Sequence, residues 1–553
     1  MKPLRHRLKV HDRYHVELKL RYALSRERPR ENLEAELFFF LPASLDVNSG
    51  NYRQEEFYQD LHAYTRYGTP LMSLDEMLDA ENERSPLARV ARLRAQQGGA
   101  TDEARARVVY ELRVLAAIVR VQYRLESKKL RALLKAPTGE GGPARAVEAA
   151  DALLERARRV SARLRELRAA WVAGARALEM ARGFDYVDES LSLLLQELCA
   201  KLHRRFARYA PEDERARALR ARLAAAIQDE DEHRLRACYP SLATAGASFA
   251  ERRANEYYLY RKGVLKKFAQ SVLFLNVRTG QGSRGAFYGL YALAAMTAMF
   301  VYVGAILFFF PSGQLDSLSA IVLAIVAYAL KDRIKEGMKH YFNARMTGIL
   351  RDRESRLVDR GPGQVEVGRS AEAFSYVPAS RVPREVLELR DRSELSEIAE
   401  DGAPEVVLKY QRSTAVYAER VFQVRQRVDQ LDEILRFSVA NFLRHMDEPR
   451  KGLVAARQAR APGESGAAPR VRLRHVTALK VYHVNLVLRL RRGGAEPPVL
   501  KRYRLILTRD GIVRVEDHDR AKALALKPPE AAPADAASSP QLGPAPAEAR
   551  SGI

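Results

Sequence analysis

The sequence predicts an α+β membrane protein: a two-helix transmembrane hairpin, a cytosolic helical, coiled-coil-like block, and a β-rich domain formed by N- and C-terminal strands. Three observations predict it. Residues 286–330 hold two apolar runs separated by PSGQLD, residues 101–239 repeat apolar side chains every three or four positions, and both ends of the chain alternate apolar with polar residues.

Residues 1–95 open with the alternation. Tyr14, Val16, Leu18, Leu20 and Tyr22 share one face, and Leu33, Ala35, Leu37, Phe39 and Leu41 share another, with SRERPRE between them. Period-two patterning around a polar turn reads as two antiparallel strands, the second ended by Pro42. An isolated two-stranded hairpin is marginal in water, so these strands are expected to complete a sheet in the C-terminal half. Next come an aromatic-rich helix with Phe57, Tyr58, Leu61 and Tyr64, and a second helix from about Ser73 to Arg94.

Residues 101–248 read as the helical block. Val147, Ala150, Leu154, Ala157, Ser161, Leu164, Leu167, Trp171, Gly174 and Leu178 form the apolar stripe of one long helix. Val108, Leu112, Leu115 and Val119 mark its antiparallel partner across PTGEGGP. Two further helices follow, one with Val187, Leu191, Leu194, Leu198 and Leu202, the other opened by Pro211. Residues 249–285 interleave aromatic and basic side chains, the composition of an amphipathic segment resting on the inner leaflet.

The hairpin reading rests on 286–310, which is 25 residues without a charged side chain. At about 1.5 Å per residue it exceeds the roughly 30 Å hydrocarbon layer. The second run, 311–330, carries Asp316 and needs Pro311 to Gln314 to reach the usual span of about 20 residues. Ala294 and Ala298 in the first run, and Ala320 and Ala324 in the second, are small residues four apart that would let the two helices approach closely. Neither run holds a buried ionisable group of the kind a proton or ion pathway uses.

Basic residues flank both sides: Arg261, Lys262, Lys266, Lys267, Arg278 and Arg284 before the runs, Lys331, Arg333, Lys335 and Lys339 after them. These are the expected anionic-lipid contacts. They place both termini on the cytoplasmic side of the inner membrane with PSGQLD outside. Residues 331–360 continue as a cytosolic helix until RGPGQ breaks it. Residues 361–520 turn to strands, above all Lys480 to Arg491 and the pair joined at Asp510-Gly511, with one helix carrying Val424, Val428, Leu431, Leu435 and Phe442. The Ala/Pro/Ser-rich 521–553 reads as disordered.

A formal charge of +24 and a pI near 10.0 imply a polyanionic partner. The anionic leaflet is the favoured one, with protein partners or a second copy beside it and nucleic acid as the alternative. Two cysteines make no disulfide framework, and the N-terminus has no continuous apolar segment of the signal-peptide type.

Catalytic motifs are missing. Gly280-Gln-Gly282-Ser-Arg-Gly285 matches a dinucleotide loop, but an apolar run follows where that site needs an amphipathic helix and a second strand. The run Asp229 to Glu232 with His233 reads as a solvated helix face, since consecutive helical residues diverge and cannot converge on a metal. No catalytic, cofactor-binding or metal-ligating residue is assigned. The function expected is a non-enzymatic membrane-anchored scaffold, adaptor or sensor, with a membrane-tethered nucleic-acid binder or a subunit of a larger transport complex as alternatives.

Overall fold

The computed structural model describes residues 4–97, 101–135, 142–172, 177–242, 248–281, 284–309, 318–346, 351–361, 363–390, 405–459, 470–493 and 497–517. PSGQLD, Gly174, Gly282, the tail 521–553 and the side chain of Arg284 lie outside them.

Two antiparallel sheets form the frame. The strands of the first are β1 (Arg5–Val10), β2 (His15–Ala23), β4 (Leu61–Tyr67) and β9 (Gln430–Ser438), in the order β1-β2-β9-β4. The second has eight strands. It takes in β3 (Arg30–Leu41), β5 (Asn276–Gln281), β6 (Arg353–Val358), β7 (Glu366–Tyr376), β8 (Val406–Tyr417), β12 (Tyr482–Arg492), β13 (Val499–Thr508) and β14 (Gly511–Asp517), ordered β14-β13-β12-β3-β8-β7-β6-β5. A separate ribbon pairs β10 (Arg450–Ala459) with β11 (Arg470–Leu479).

The two N-terminal strands do not pair with each other. β2 joins β9 in the small sheet, and β3 lies between β8 and β12 in the large one. The link between β2 and β3 therefore crosses from layer to layer, and the two apolar faces read from the sequence look at each other across the core. Val16, Leu18, Leu20 and Tyr22 share that core with Leu33, Leu37 and Phe39, and the Phe39 and Phe437 rings lie 5.1 Å apart. Near its end β3 is apolar on both faces, because Phe38 and Phe40 pack on the other side against Val386 of α11 (Arg384–Arg390). Each such fully buried side chain is worth about 1.5–3 kcal/mol over an exposed one.

One polar cluster interrupts this interlayer core. Arg412 of β8, itself buried, ion-pairs with Glu372 of β7 and reaches Glu433 of β9 at 3.5 Å and Thr65 of β4 at 3.3 Å. Thr414 donates to Glu433 at 2.6 Å. Burial pushes the Arg412 guanidinium toward losing its proton, but the two carboxylates outweigh it and hold the group more firmly protonated than usual.

These polar residues also explain two corrections. The segment holding Leu431 and Leu435 is strand β9, not a helix, because its inward positions are 431, 433, 435 and 437, and the buried Glu433 breaks the apolar alternation. Likewise α1 (Gln54–Asp60) ends before Leu61, and Leu61 to Tyr67 is β4, whose inward Thr65 serves Arg412. The helix expected over Ser73 to Arg94 is two, α2 (Leu74–Leu78) and α3 (Pro86–Gln97).

Between β4 and β5 the chain builds the helical block: α4 (Asp102–Leu134), α5 (Gly142–Val172), α6 (Ala177–Tyr209), α7 (Glu214–Arg236) and α8 (Phe249–Gln270). Thr101 accepts from the Ala104 amide to start α4, with Asp102 and Glu103 in the first turn where the helix dipole favours acids. α6 packs on α4, α5 and α7 alike, so the block is a bundle with a shared core and not a two-stranded coiled coil. It is tied to the sheets by Glu111 of α4, which accepts from Arg427 at 2.7 Å.

The two-helix transmembrane hairpin is corrected as well. Twelve α-helices occur among the described residues, and only one is long and apolar enough to cross a membrane: α9 (Arg284–Phe309), through Tyr291–Phe308. Its neighbour α10 (Leu318–Met346) is apolar only to Leu330; Lys331, Asp332 and Arg333 follow. Those first 13 residues of α10 reach only about 20 Å, short of a bilayer core. α10 ends at Met346 and the chain returns as strand β6, so the helix expected over 331–360 is also shorter than read. α9 and α10 still pack together, with Ala294 and Ala298 fully buried and Tyr302 edge-on to Tyr328.

Replacing Arg412 with Met leaves Glu372 and Glu433 as buried, unpaired carboxylates. The expected cost is about 3–5 kcal/mol in denaturant unfolding; a loss under about 1 kcal/mol would remove the cluster from its structural role.

Candidate functional site

Of the ten expected lipid-contacting cations, nine have described side chains, and these differ in their partners. On α8, Arg261 turns inward to the buried Glu189 at 2.8 Å and Lys262 pairs with Glu197 at 3.2 Å, so both fasten α8 to the bundle. Lys266 and Lys267 stay exposed. Arg278, at the sheet edge, donates to Gln364. The Lys331 ammonium sits 3.7 Å over the Tyr328 ring, Lys339 pairs with Glu336 at 2.9 Å, Arg333 is exposed and Lys335 half-buried.

The side of α8 facing away from the bundle is unusual. Ser248 and Glu251 close a reciprocal cap at its start, and Tyr258, Leu265 and Ala269 bury one stripe. On the other side Phe249, Tyr257, Tyr260 and Val264 recur at helical spacing with Arg253 and Lys267, and Phe249 and Tyr260 are 74% and 69% exposed. Aromatic rings beside cations suit a water–lipid boundary.

A cleft of about 880 Å³ opens where the bundle meets the edge of the large sheet. Tyr110 and Arg113 of α4 form one wall, Ser271 and Asn276 lie at the junction of α8 and β5, and Arg360 and Arg425 close the far side; Arg105, Val109, Met180 and Val272 complete it. Arg425 is buried and grips Asp359 through two hydrogen bonds of 2.9 and 2.6 Å, with its guanidinium 4.0 Å over the Tyr110 ring. Gly361 permits this pairing, because a Cβ there would fall 2.7 Å from both the Arg425 and Asp359 side chains. Arg113 stacks on Phe268 at 4.2 Å and reaches the Ser271 hydroxyl only at 3.5 Å; burial alone pushes its pKa down.

None of this was visible in the sequence. Arg105, Arg113, Arg360 and Arg425 come from three distant stretches of an Arg-rich chain, and no spacing links them. The Gly280–Gly285 motif lies in an antiparallel edge: Gly280 belongs to β5 opposite Glu354 of β6, not to a parallel strand–helix–strand unit.

The acidic run is a solvated face only in part, with Asp229 and Glu232 exposed. Asp229 pairs with Arg158, Glu230 is buried against Arg165 at 2.9 Å, and Asp231 accepts from Gln196 at 3.1 Å. The His233 ring lies 2.7 Å from Asp188. No group of three or more potential metal ligands gathers among the described residues. Burial pushes the Asp188 carboxyl up, but the His233 hydrogen bond and the Arg165 charge outweigh it and leave its pKa below the usual value.

A carboxyl with a depressed native pKa adds stability above its unfolded pKa of about 4, and that stability is lost as the pH falls through the native value. Asp188→Asn should therefore melt below the wild type at pH 7, with the gap closing in acid below about pH 4. A gap independent of pH, in parallel thermal melts, would show that the carboxylate charge is not what matters.

No protein-family model matches this chain, no curated protein matches its sequence and no solved structure matches its fold.

Proposed function

We propose that this chain is a non-enzymatic membrane-anchored scaffold or sensor whose folded body rests on the cytoplasmic face of an anionic membrane. The observation that carries this reading is α9. Its 18-residue window Tyr291–Phe308 has a mean hydropathy of 2.0, yet only 11% of that window is buried. A helix this apolar in the core of a water-soluble protein would be covered; here Phe300 and Phe308 are 83% and 79% exposed. Lipid is the medium that makes such a surface favourable.

The exposed stripe of α8 supports the same reading. It adds aromatic and basic groups suited to the headgroup layer, where cations gain about 1 kcal/mol each from anionic lipid. β5 and β6 are paired, so the chain enters and leaves the α9–α10 segment beside the same sheet edge. The cationic flanks favour the cytoplasmic face for the body.

In flotation assays the full chain should rise with phosphatidylglycerol-containing vesicles. Lys266→Gln with Lys267→Gln should weaken partitioning from water by about 2 kcal/mol, roughly thirtyfold, with little change on uncharged vesicles. Recovery of the wild-type chain from cells in the supernatant after carbonate washing, without detergent, would refute membrane anchoring.

A further inference from the structure

We infer that the basic cleft between the helical bundle and the sheet edge binds a phosphate-bearing ligand, its phosphate held by Arg113 and Arg360. Four guanidiniums line one concavity, and they are not equivalent. Arg425 is neutralised by Asp359, and Arg105 pairs with Asp102. Arg113 and Arg360 have no carboxylate partner among the described residues, and the Nε of Arg113 is buried without a hydrogen-bond acceptor.

Burying an arginine donor unpaired is costly, and guanidinium does not shed its charge at physiological pH. An uncompensated cation facing a cavity is thus a group waiting for an anion. Arg113, with the solvent-exposed and carboxylate-free Arg360 lining the same cleft, matches a dianionic phosphate monoester better than a singly charged carboxylate, and the guanidinium fork fits phosphate oxygens. The Asn276 amide adds a polar group to the lining, whereas the Ser271 hydroxyl already donates to the Phe268 carbonyl at 2.7 Å.

Size argues for more than an inorganic ion. A volume of about 880 Å³ falls in the range of organic-ligand sites, and Val109, Met180 and Val272 offer apolar wall for a carbon skeleton beside the Tyr110 ring. The phosphate could belong to a soluble metabolite-sized ester or to a lipid headgroup. This inference does not rest on membrane anchoring, and its test separates the two.

The experiment uses the full chain in neutral detergent. Calorimetric titration with inorganic phosphate and glycerol 3-phosphate forms one arm, with glycerol as control; short-chain phosphatidic acid against short-chain phosphatidylcholine forms the other. Hydrogen exchange over residues 105–113 and 271–276 reports where binding occurs. Saturable binding of a phosphate probe, with protection of those segments and at least a tenfold loss in Arg360→Glu, is the expected result. A response in the first arm assigns a soluble ligand, and one confined to phosphatidic acid assigns a headgroup. Arg360 is exposed, so its variant should fold even if Arg113→Gln does not. Failure of every phosphate probe, unchanged affinity in Arg360→Glu, or protection elsewhere overturns the proposal. So does binding shown only by an oligonucleotide.

Discussion

A single guanidinium, sealed between two layers of sheet, constrains the architecture more than any apolar contact does. Arg412 stands on a central strand of the large sheet and binds groups from β4, β7 and β9 at once. A one-residue slip of β8 would turn that charge to the opposite face and strand two carboxylates in the core. Apolar packing between Phe39, Phe57 and Phe437 supplies cohesion but tolerates small shifts; the ionic cluster does not. The register of both sheets is thereby coupled through one side chain, although one of the strands it joins, β4, lies more than 300 residues from β8, as Thr65 and Arg412 show.

The same cluster marks where the sequence became hard to read. Alternation was plain in β2, β3 and β12, where inward positions are almost all apolar. It failed in β9 and β4, where inward Glu433 and Thr65 broke the pattern and leftover apolar residues fell at helical spacing. Pairing was less legible than strand identity: β2 and β3 are neighbours in sequence with compatible turns, yet each finds its partner in the C-terminal half. Apolar composition exposed α9 at once but overstated its companion, since a residue count across PSGQLD borrowed length that α10 lacks before Lys331. The arginine cleft left no linear trace, because fold alone brings α4, β5 and the segment around Arg360 together.

Strand β5 links the cleft to the apolar helix. Asn276 at its start lines the cleft, Leu275 just before it donates to the Thr65 carbonyl beside the buried ionic cluster, and Gln281 at its end lies three residues before α9. An element so short, only six residues, has little capacity to absorb a change at one end without moving the other. Cleft and apolar helix thus share a rigid connector anchored to the core of the sandwich.

The manner of that attachment has a corollary. Gln281 and Arg353 face each other as the last register pair of an edge ladder, and residues 282–351 are inserted at its tip, Asp352 still bonding β7 through its amide. Among the described residues, excising the insert and closing the ends with a tight turn would break no other strand pairing. On that geometry the apolar appendage can be lengthened, shortened or lost without altering the strand pairing of the sheet beneath it.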